Sequence, residues 1–284
     1  MSHQLATLLA RLLFPVLCGV AGASPALAQG PEAVTIDSNL TIRHRPFSPI
    51  HFVLARGSVI LLAGGNGVLD VIQTGGQAGD IRELQGNFLI RSARRFIEAR
   101  FNVAMLDAAP AFAGPDGLNN QRLTQAHADQ IGAVIGAARN RWPNKPVWLI
   151  GTSNGTLSAV NAAARLTGTN LPNGIVLTSS ITASSTAPDE TGTVLTASPG
   201  LANISVPTLV AWHSQDQCTL SLGTSAQAVF NGLTGLPAPK KGSFIAAGGL
   251  PNIAVPRCSA FNRHGFNGIE QSVVVAIATF IATH

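Results

Sequence analysis

The stretch "PVWLIGTSNGT", residues 146–156, decides the fold because it joins a buried strand, a sharp turn and the start of a helix. The apolar run "PVWLIG" predicts a strand, and the Ala-rich run "GTLSAVNAAARL" that follows (155–166) predicts a helix. Between them, Gly151-Thr152-Ser153-Asn154-Gly155 has the form G-x-S-x-G. In a chain with 29 glycines this form also arises by chance, so its context decides whether Ser153 is a nucleophile or a turn residue.

The position of Ser153 between a strand and a helix is the one that a nucleophile requires. A sharp turn holds the serine in unfavourable backbone angles, and the flanking glycines remove the side-chain clashes that would forbid them. The turn aims the hydroxyl at the carboxyl end of the sheet, where the ligand sites of open α/β folds lie. The helix start adds a positive dipole and the backbone N–H of Asn154. We therefore predict Ser153 as nucleophile and the Asn154 N–H as one oxyanion donor.

Short apolar runs alternate with helical patterns along the rest of the chain. Strands are predicted at 58–63, 102–107, 146–151, 174–180, 207–214 and 241–247, and helices at 87–101, 123–142, 155–166 and 269–284. Strands that are apolar along their whole length and alternate with helices indicate a mostly parallel sheet with helices on both faces. Residues 33–47 with 51–56 are typical of an antiparallel hairpin at the sheet edge. No shift in composition marks a second domain.

The composition describes a large core and no nucleic-acid surface. Hydrophobic residues make up 46% of the 284 residues and charged residues only 11%, against roughly 25% charged in an average soluble domain. The formal net charge is +5, but no cluster of Lys and Arg accounts for it. Four arginines lie along one predicted helix and are interpreted as a solvated face: Arg91, Arg94, Arg95 and Arg100.

The N-terminus is typical of an export signal. Arg11 precedes an apolar stretch over 12–23, and Ala26-Leu27-Ala28 offers small residues for cleavage after Ala28. The alternative is a transmembrane anchor, but the stretch is too short and Pro15 interrupts it. We expect a signal peptide over 1–28, a single domain over 29–284, a secreted or periplasmic location, and no integral membrane anchor after cleavage.

The base that Ser153 requires is best supplied by His264. A serine alone is a poor nucleophile, and it needs a base that a carboxylate orients. His264 follows the last predicted strand and precedes the last helix, whereas the rival His213 ends a strand and is interpreted as ordering the acid loop. The other five of the seven histidines are set aside because they lie in the signal, the edge hairpin, a helix or the terminus: His3, His44, His51, His127 and His284.

Asp216 is the predicted acid because it follows the penultimate strand, in "AWHSQDQC" (211–218). The order Ser153, Asp216, His264 is the chain order expected for this arrangement. Asp189 or Glu190, in the loop after the preceding strand, is the alternative acid. Three further residues are interpreted as structural, the first as fixing a loop and the others as core: Asp107, Trp148 and Trp212.

Loss of Cys18 with the signal leaves Cys218 and Cys258, and an exported protein with a single pair is expected to bridge it. The alternative is two free buried thiols. Cys218 lies two residues after Asp216 and Cys258 six before His264. A bridge would therefore tie the acid loop to the base loop, unless it only staples loops in general.

Four motifs carry a resemblance to a known family: "LLAGGNGVLD", "LIGTSNGT", "HSQDQC" and "RHGF". From the strand at 58–63 to the end, the chain resembles an α/β-hydrolase, and is similar to exported bacterial members with a minimal core and no large lid. The resemblance implies a second oxyanion donor in Gly64–Gly67, with the N–H of Asn66 favoured and that of Gly65 next. Many relatives begin this loop with His-Gly where this chain has Gly64-Gly65, which leaves the identity of the donor open.

These features together predict a serine hydrolase that acts on a carboxylic ester. A peptidase, amidase or thioesterase would use the same residues, and a catalytically silent binding module would share the fold. No metal-ligand spacing or phosphate-binding loop is present, so we expect no cofactor and no metal. The polar segment 181–206 is too short for a helical cap, which favours an open cleft for small or polymeric esters. The sequence carries no signal for oligomeric state.

Overall fold

The structure, a computed structural model, describes residues 32–37, 40–44, 54–74, 77–184 and 192–284. The predicted signal peptide (1–28) lies outside the described residues, as do the alternative acids Asp189 and Glu190. The strands are β1 (Glu32–Asp37), β2 (Leu40–His44), β3 (Gly57–Leu62), β4 (Val71–Thr74), β5 (Gln77–Ile81), β6 (Phe101–Leu106), β7 (Val147–Thr152), β8 (Gly174–Thr178), β9 (Thr208–His213) and β10 (Lys241–Ala246). The α-helices are α1 (Phe88–Glu98), α2 (Gln125–Arg141), α3 (Gly155–Arg165), α4 (Ala226–Gly232) and α5 (Glu270–Thr283).

The central sheet has eight strands in the order β1-β2-β6-β3-β7-β8-β9-β10. The six strands from β6 to β10 in this order are parallel to one another. At one edge β2 runs antiparallel to β6, and β1 runs antiparallel to β2. The prediction of a mostly parallel sheet with an antiparallel edge is confirmed. Among the described residues the edge hairpin is formed by β1 and β2, in the region of the first of its two predicted segments; residues 51–53 of the second segment lie outside the described residues.

Helices cover both faces of this sheet, and each face has its own core, so the central strands β3, β7, β8 and β9 are buried along their whole length. Successive side chains of a strand point to opposite faces. Ile60 of β3 accordingly packs in the core with α2 and α3, while its neighbour Leu61 packs in the core with α1 and α5. Trp148 and Trp212 are 1% and 5% exposed and belong to opposite cores. Both tryptophans are therefore core residues, as the sequence predicts.

The segment Arg263–Thr283, which contains α5, is long and apolar enough in composition to cross a membrane. The 14 residues of α5 itself span only about 21 Å at 1.5 Å per residue, less than the roughly 30 Å of a bilayer core. One side is buried in the domain, through Val273, Val274, Ile277 and Ile281. These contacts make α5 a core helix of the sheet.

Element boundaries differ from the predicted ones where the backbone turns sharply. The helix predicted over 87–101 ends at Glu98, because Arg100 adopts φ +69° and the chain reverses into β6. The hairpin β4–β5 and the seven-residue helix α4 were not predicted. Between β8 and β9, the described residues contain no α-helix and only the 3₁₀ turn Leu201–Asn203.

One prediction is wrong: the arginines of α1 do not all lie on a solvated face. Arg91 is partly buried and forms an ion pair of 3.0 Å with Glu270 of α5. Its guanidinium also donates to the backbone carbonyls of Gly86 and Gly265. Burial is the main cause that lowers the pKa of Arg91, against the opposing pull of Glu270. Arg91 therefore fastens α1 to α5 and to the turn that carries His264.

Candidate active site

Ser153 lies at the turn from β7 into α3 with φ +52°, in the left-handed region that side chains rarely adopt. The flanking glycines are required by close backbone contacts. A Cβ at Gly155 would lie 2.0 Å from the Leu62 carbonyl oxygen, and one at Gly151 would lie 2.4 Å from the Gly155 carbonyl oxygen. The Ser153 N–H donates to the Thr178 carbonyl at 3.0 Å, which fixes the strained turn. This is the backbone geometry of a nucleophile turn.

Asp216 and His264 form a buried pair in loops that leave the same edge of the sheet. His264 Nδ1 lies 3.0 Å from Asp216 Oδ2, and the residues are 6% and 5% exposed. The other carboxylate oxygen, Oδ1, accepts the Cys218 N–H at 2.9 Å. A carboxylate acceptor at Nδ1 favours the neutral tautomer whose Nε2 is free of its proton. The pair has the arrangement of a base and the acid that orients it.

The end of β8 connects the serine to this pair. Thr178 accepts the Ser153 N–H, and its neighbour Ser179 donates its hydroxyl to the His264 carbonyl at 2.8 Å. Among the described residues no hydrogen bond joins the Ser153 hydroxyl directly to the His264 ring. Catalytic hydrogen bonds are often long without substrate and tighten in the complex. The structure thus brings Ser153, Asp216 and His264 together at the end of β8, and the side chains of Asp216 and His264 are in direct contact.

Ser221 is a member of this site that the sequence did not reveal. Its hydroxyl lies 3.0 Å from Asp216 Oδ2 and 2.8 Å from His264 Nδ1, and the residue is 2% exposed. No motif marks it: the only available signal is that it follows the predicted acid by five residues in the same short loop.

His213, the rival base, has both ring nitrogens bound to the backbone. Nδ1 accepts the Gln215 N–H at 3.0 Å, and Nε2 donates to the Gly248 carbonyl at 2.9 Å. His213 is 1% exposed. These contacts fit its interpretation as a residue that orders the acid loop. Asp107 likewise holds a loop, because its Oδ1 accepts the Leu69 N–H at 2.7 Å.

The predicted disulfide is present between Cys218 and Cys258, with their Cα atoms 4.5 Å apart. Cys218 is buried and Cys258 is exposed. The Cys218 N–H donates to Asp216, so one of the two bridged residues also forms a hydrogen bond with the predicted acid. The alternative of two free thiols is wrong for this structure.

The loop after β3 passes directly beside Ser153. A Cβ at Gly64 would lie 2.8 Å from Ser153 Cβ and 3.4 Å from its Oγ. The Gly65 carbonyl accepts from Asn154 Nδ2 at 3.2 Å. The N–H of Asn66 belongs to the same trans peptide and therefore points away from the Asn154 side chain. The Asn66 side chain is occupied, since it donates to the Pro115 carbonyl and accepts the Val68 N–H. Asn66 and Gly65 thus remain candidates through their backbone N–H groups, beside that of Asn154.

A buried arginine, Arg122, forms hydrogen bonds with the backbone of this loop. Arg122 is 4% exposed, and its Nη2 donates to the carbonyls of Ala63 and Gly65 at 3.1 and 3.0 Å. Its Nη1 donates to Ser158 Oγ at 2.9 Å, and His127 Nε2 lies 2.9 Å from the same oxygen. Burial, and next the charge of Arg122, lowers the pKa of His127 to about 3. His127 is therefore neutral at physiological pH. Neither Arg122 nor His127 was predicted from the sequence as part of the site.

No group of three or more His, Cys, Asp or Glu side chains within the described ranges is placed to hold a metal ion. The polar groups gathered at this strand end are the hydroxyls of Ser153, Ser179 and Ser221, an imidazole, a carboxylate and backbone amides. This set is suited to nucleophilic acyl transfer.

Comparisons with known proteins agree with this architecture. No protein-family model matches the chain, and no curated protein matches it significantly. Among solved structures, a sugar hydrolase (YeeB) from Lactococcus lactis is similar with a TM-score of 0.59 and 14% identity, over 89% of this chain and 97% of that one. XC6422 from Xanthomonas campestris, described as an α/β serine hydrolase without lid, is similar with a TM-score of 0.53 and 14% identity, over 89% and 98%.

A third similar structure is MGS-M1, an α/β-hydrolase enzyme from a Medee basin deep-sea metagenome library. Its TM-score is 0.55 at 12% identity, over 90% of this chain and 99% of that one. At such identities the likeness speaks for the fold. Together with the parallel sheet order and the turn at Ser153, it identifies the architecture: the chain has the α/β-hydrolase fold.

Proposed function

We propose that the protein is an exported serine hydrolase that cleaves carboxylic esters through an acyl-enzyme. The observation that carries the proposal is Ser153 in a left-handed turn at a strand end to which the buried Asp216–His264 pair is also joined. A strained serine has a structural cost of about 1–3 kcal/mol. A nucleophile beside a base and an acid is a function that accounts for this cost.

In the first half-reaction, the Ser153 hydroxyl oxygen attacks the ester carbonyl carbon while His264 Nε2 takes the hydroxyl proton. Asp216 keeps the imidazole in the correct orientation and stabilises its cation. The tetrahedral intermediate then collapses, the ester C–O bond breaks, and the proton on His264 passes to the leaving alcohol. The product of this half is an ester of Ser153 with the acyl group.

In the second half-reaction, water takes the place of the alcohol. His264 removes a proton from the water as it attacks the acyl carbon, and then returns a proton to Ser153 as the acid leaves. In both halves the negative oxygen is stabilised by the N–H of Asn154 and one from Asn66 or Gly65. Removal of one such donor typically costs about 3–4 kcal/mol of transition-state stabilisation. All of these steps use only protein groups and water.

Export is part of the proposal. The signal-like segment 1–28 with cleavage after Ala28 points to a secreted or periplasmic protein. The disulfide supports this location, because such bonds persist in oxidising compartments and are rare in the cytosol. Within the described part of the segment between β8 and β9, the absence of an α-helix favours access for bulky or polymeric esters.

The test compares three substrates with the same butyryl group: a p-nitrophenyl ester, a p-nitroanilide and a thioester. The protein is produced by export into an oxidising periplasm and compared with Ser153→Ala. The matched control is Ser243→Ala, which changes an exposed serine of β10. The proposal predicts highest kcat/KM on the ester, a loss of at least about 10³-fold in Ser153→Ala, and no change in the control.

Two results would overturn the proposal in different ways. Preferred turnover of the anilide or the thioester, still dependent on Ser153, would make the protein an amidase or thioesterase with the same residues. No turnover of any substrate by folded, disulfide-bonded protein would favour a binding module.

A further inference from the structure

The loop that follows β9 is folded back on itself, so that Ser221 is returned to the side chain of Asp216. The Asp216 N–H donates to the His213 carbonyl at 3.0 Å, and the Ser221 N–H donates to the Cys218 carbonyl at 3.0 Å. Gly223 closes the turn by donating to the Asp216 carbonyl at 3.1 Å. These three bonds are between backbone groups. The position of Ser221 is therefore set by the loop and does not depend on the contacts of its hydroxyl.

The Ser221 hydroxyl has the capacity to serve the acid and the base at the same time. A serine hydroxyl donates one hydrogen bond and accepts up to two. Here it donates to Asp216 Oδ2 at 3.0 Å, which leaves its lone pairs to face His264 Nδ1 at 2.8 Å. The Nδ1–H of His264 is then shared between the carboxylate and the hydroxyl. The hydroxyl oxygen is the nearer of the two acceptors.

Burial makes this arrangement consequential. Ser221, Asp216 and His264 are 2%, 5% and 6% exposed, so water has little access to replace a lost hydroxyl. Two acceptors on either side of one N–H restrict rotation of the imidazole ring more than a single carboxylate oxygen does. The ring plane determines where Nε2 points, and Nε2 is the atom that must meet the Ser153 hydroxyl.

We propose that Ser221 is a positioning residue that completes the Asp216–His264 pair by bridging the two side chains and fixing the plane of the His264 ring. Its catalytic consequence rests on the proposed function, because it acts through His264. Its structural consequence, the shared Nδ1–H, does not. The two are measured separately.

The experiment uses Ser221→Ala, the conservative variant Ser221→Thr, and Ser180→Ala as matched control. Ser180 is 3% exposed, and within the described residues its hydroxyl has no hydrogen-bond partner. The control thus makes the same change at similar burial without removing a hydrogen bond. All variants are made in the full chain and exported as the wild type is.

Two readouts separate positioning from general stabilisation. The first is ester hydrolysis: Ser221→Ala lowers kcat about tenfold with KM unchanged, a loss of roughly 1.4 kcal/mol, which is close to the lower end of the range for a hydrogen bond to a charged group. Ser180→Ala leaves both parameters unchanged, and Ser221→Thr restores most of kcat. The second is the downfield proton resonance of the His264 Nδ1–H, which shifts in Ser221→Ala and stays in place in Ser180→Ala.

A double-mutant cycle gives the sharpest outcome. If Ser221 acts through the pair, the cost of Ser221→Ala is about tenfold in the wild type and differs from that by several-fold in an Asp216→Asn background. Equal costs in both backgrounds, or an unmoved Nδ1–H resonance, would overturn the proposal. Should no ester be hydrolysed at all, the proposed function fails while the resonance still tests the bridge.

Discussion

Removal of the disulfide between Cys218 and Cys258 should cost stability and activity by separate routes. The bridge closes a loop with a sequence separation of 40 residues. The chain-entropy relation gives about 4 kcal/mol at 25 °C for a loop of this length. Because this is less than the roughly 5–15 kcal/mol of a typical domain, the reduced protein should remain folded at 25 °C. For a chain of this size we expect Tm to fall by about 8–16 °C.

The activity effect follows from the contacts of Cys218. Its N–H holds Asp216 Oδ1 at 2.9 Å, and its carbonyl accepts the Ser221 N–H. Release of the bridge loosens the loop at the point where it holds the acid. We therefore expect kcat to fall about tenfold at 25 °C, as for the loss of one hydrogen bond to a charged group, while KM and the far-ultraviolet circular dichroism are retained.

The assay titrates a phosphine reductant against ester turnover and circular dichroism in parallel, and repeats both on the double variant Cys218→Ser, Cys258→Ser. Exposure of Cys258 makes the bond accessible to the reductant. Activity should decline well before the dichroism changes. Coincident loss of the two signals, or full activity in the folded double variant, would show that the bridge does not position the acid and only staples the loops in general.

Three further substitutions test the supports of the site. Arg122→Lys should lower kcat about tenfold at unchanged circular dichroism, since an ammonium cannot replace a planar guanidinium beneath the loop; wild-type kcat would contradict this. Gly64→Ala places a Cβ 2.8 Å from Ser153 Cβ and should reduce kcat more than tenfold, and unaltered turnover would show that the loop yields. His127, whose pKa is lowered to about 3 by burial, takes up a proton only in the unfolded chain between about pH 6.5 and 3, so stability falls as the pH falls through this window. When the pH is lowered to about 4, the free energy of unfolding measured in urea should fall by about 3 kcal/mol less in His127→Gln than in the wild type. Equal falls in both proteins would show that burial does not keep His127 neutral in the folded state.

The sheet and its helices were predictable because burial leaves a regular pattern. Strands covered on both faces are apolar at nearly every position, as in β3, where Ile60 and Leu61 enter different cores. The nucleophile turn was predictable for a similar local reason: a tight approach of backbone to backbone demands glycine, and Gly151 and Gly155 stand on either side of Ser153.

Contacts between distant loops were harder to predict from the sequence. Asp216 and His264 were inferred from chain order, but the hydroxyl between them depends on how one loop folds back, which no periodicity records. Arg91 shows the same limit, because its partner Glu270 lies 179 residues away. From the sequence alone, a helical arginine that meets a distant carboxylate is indistinguishable from one that faces water. Such pairings become visible only when the sheet has brought the elements together.

Covalent labelling is the most direct test of whether Ser153 is the nucleophile. The exported protein is treated with a fluorophosphonate, and the intact mass and the labelled peptide are determined by mass spectrometry. We expect a single adduct on Ser153, lost in Ser153→Ala and formed much more slowly in His264→Ala, together with loss of ester turnover in both variants. An adduct on another residue, or none on folded and oxidised protein, would contradict the assignment of Ser153 as nucleophile.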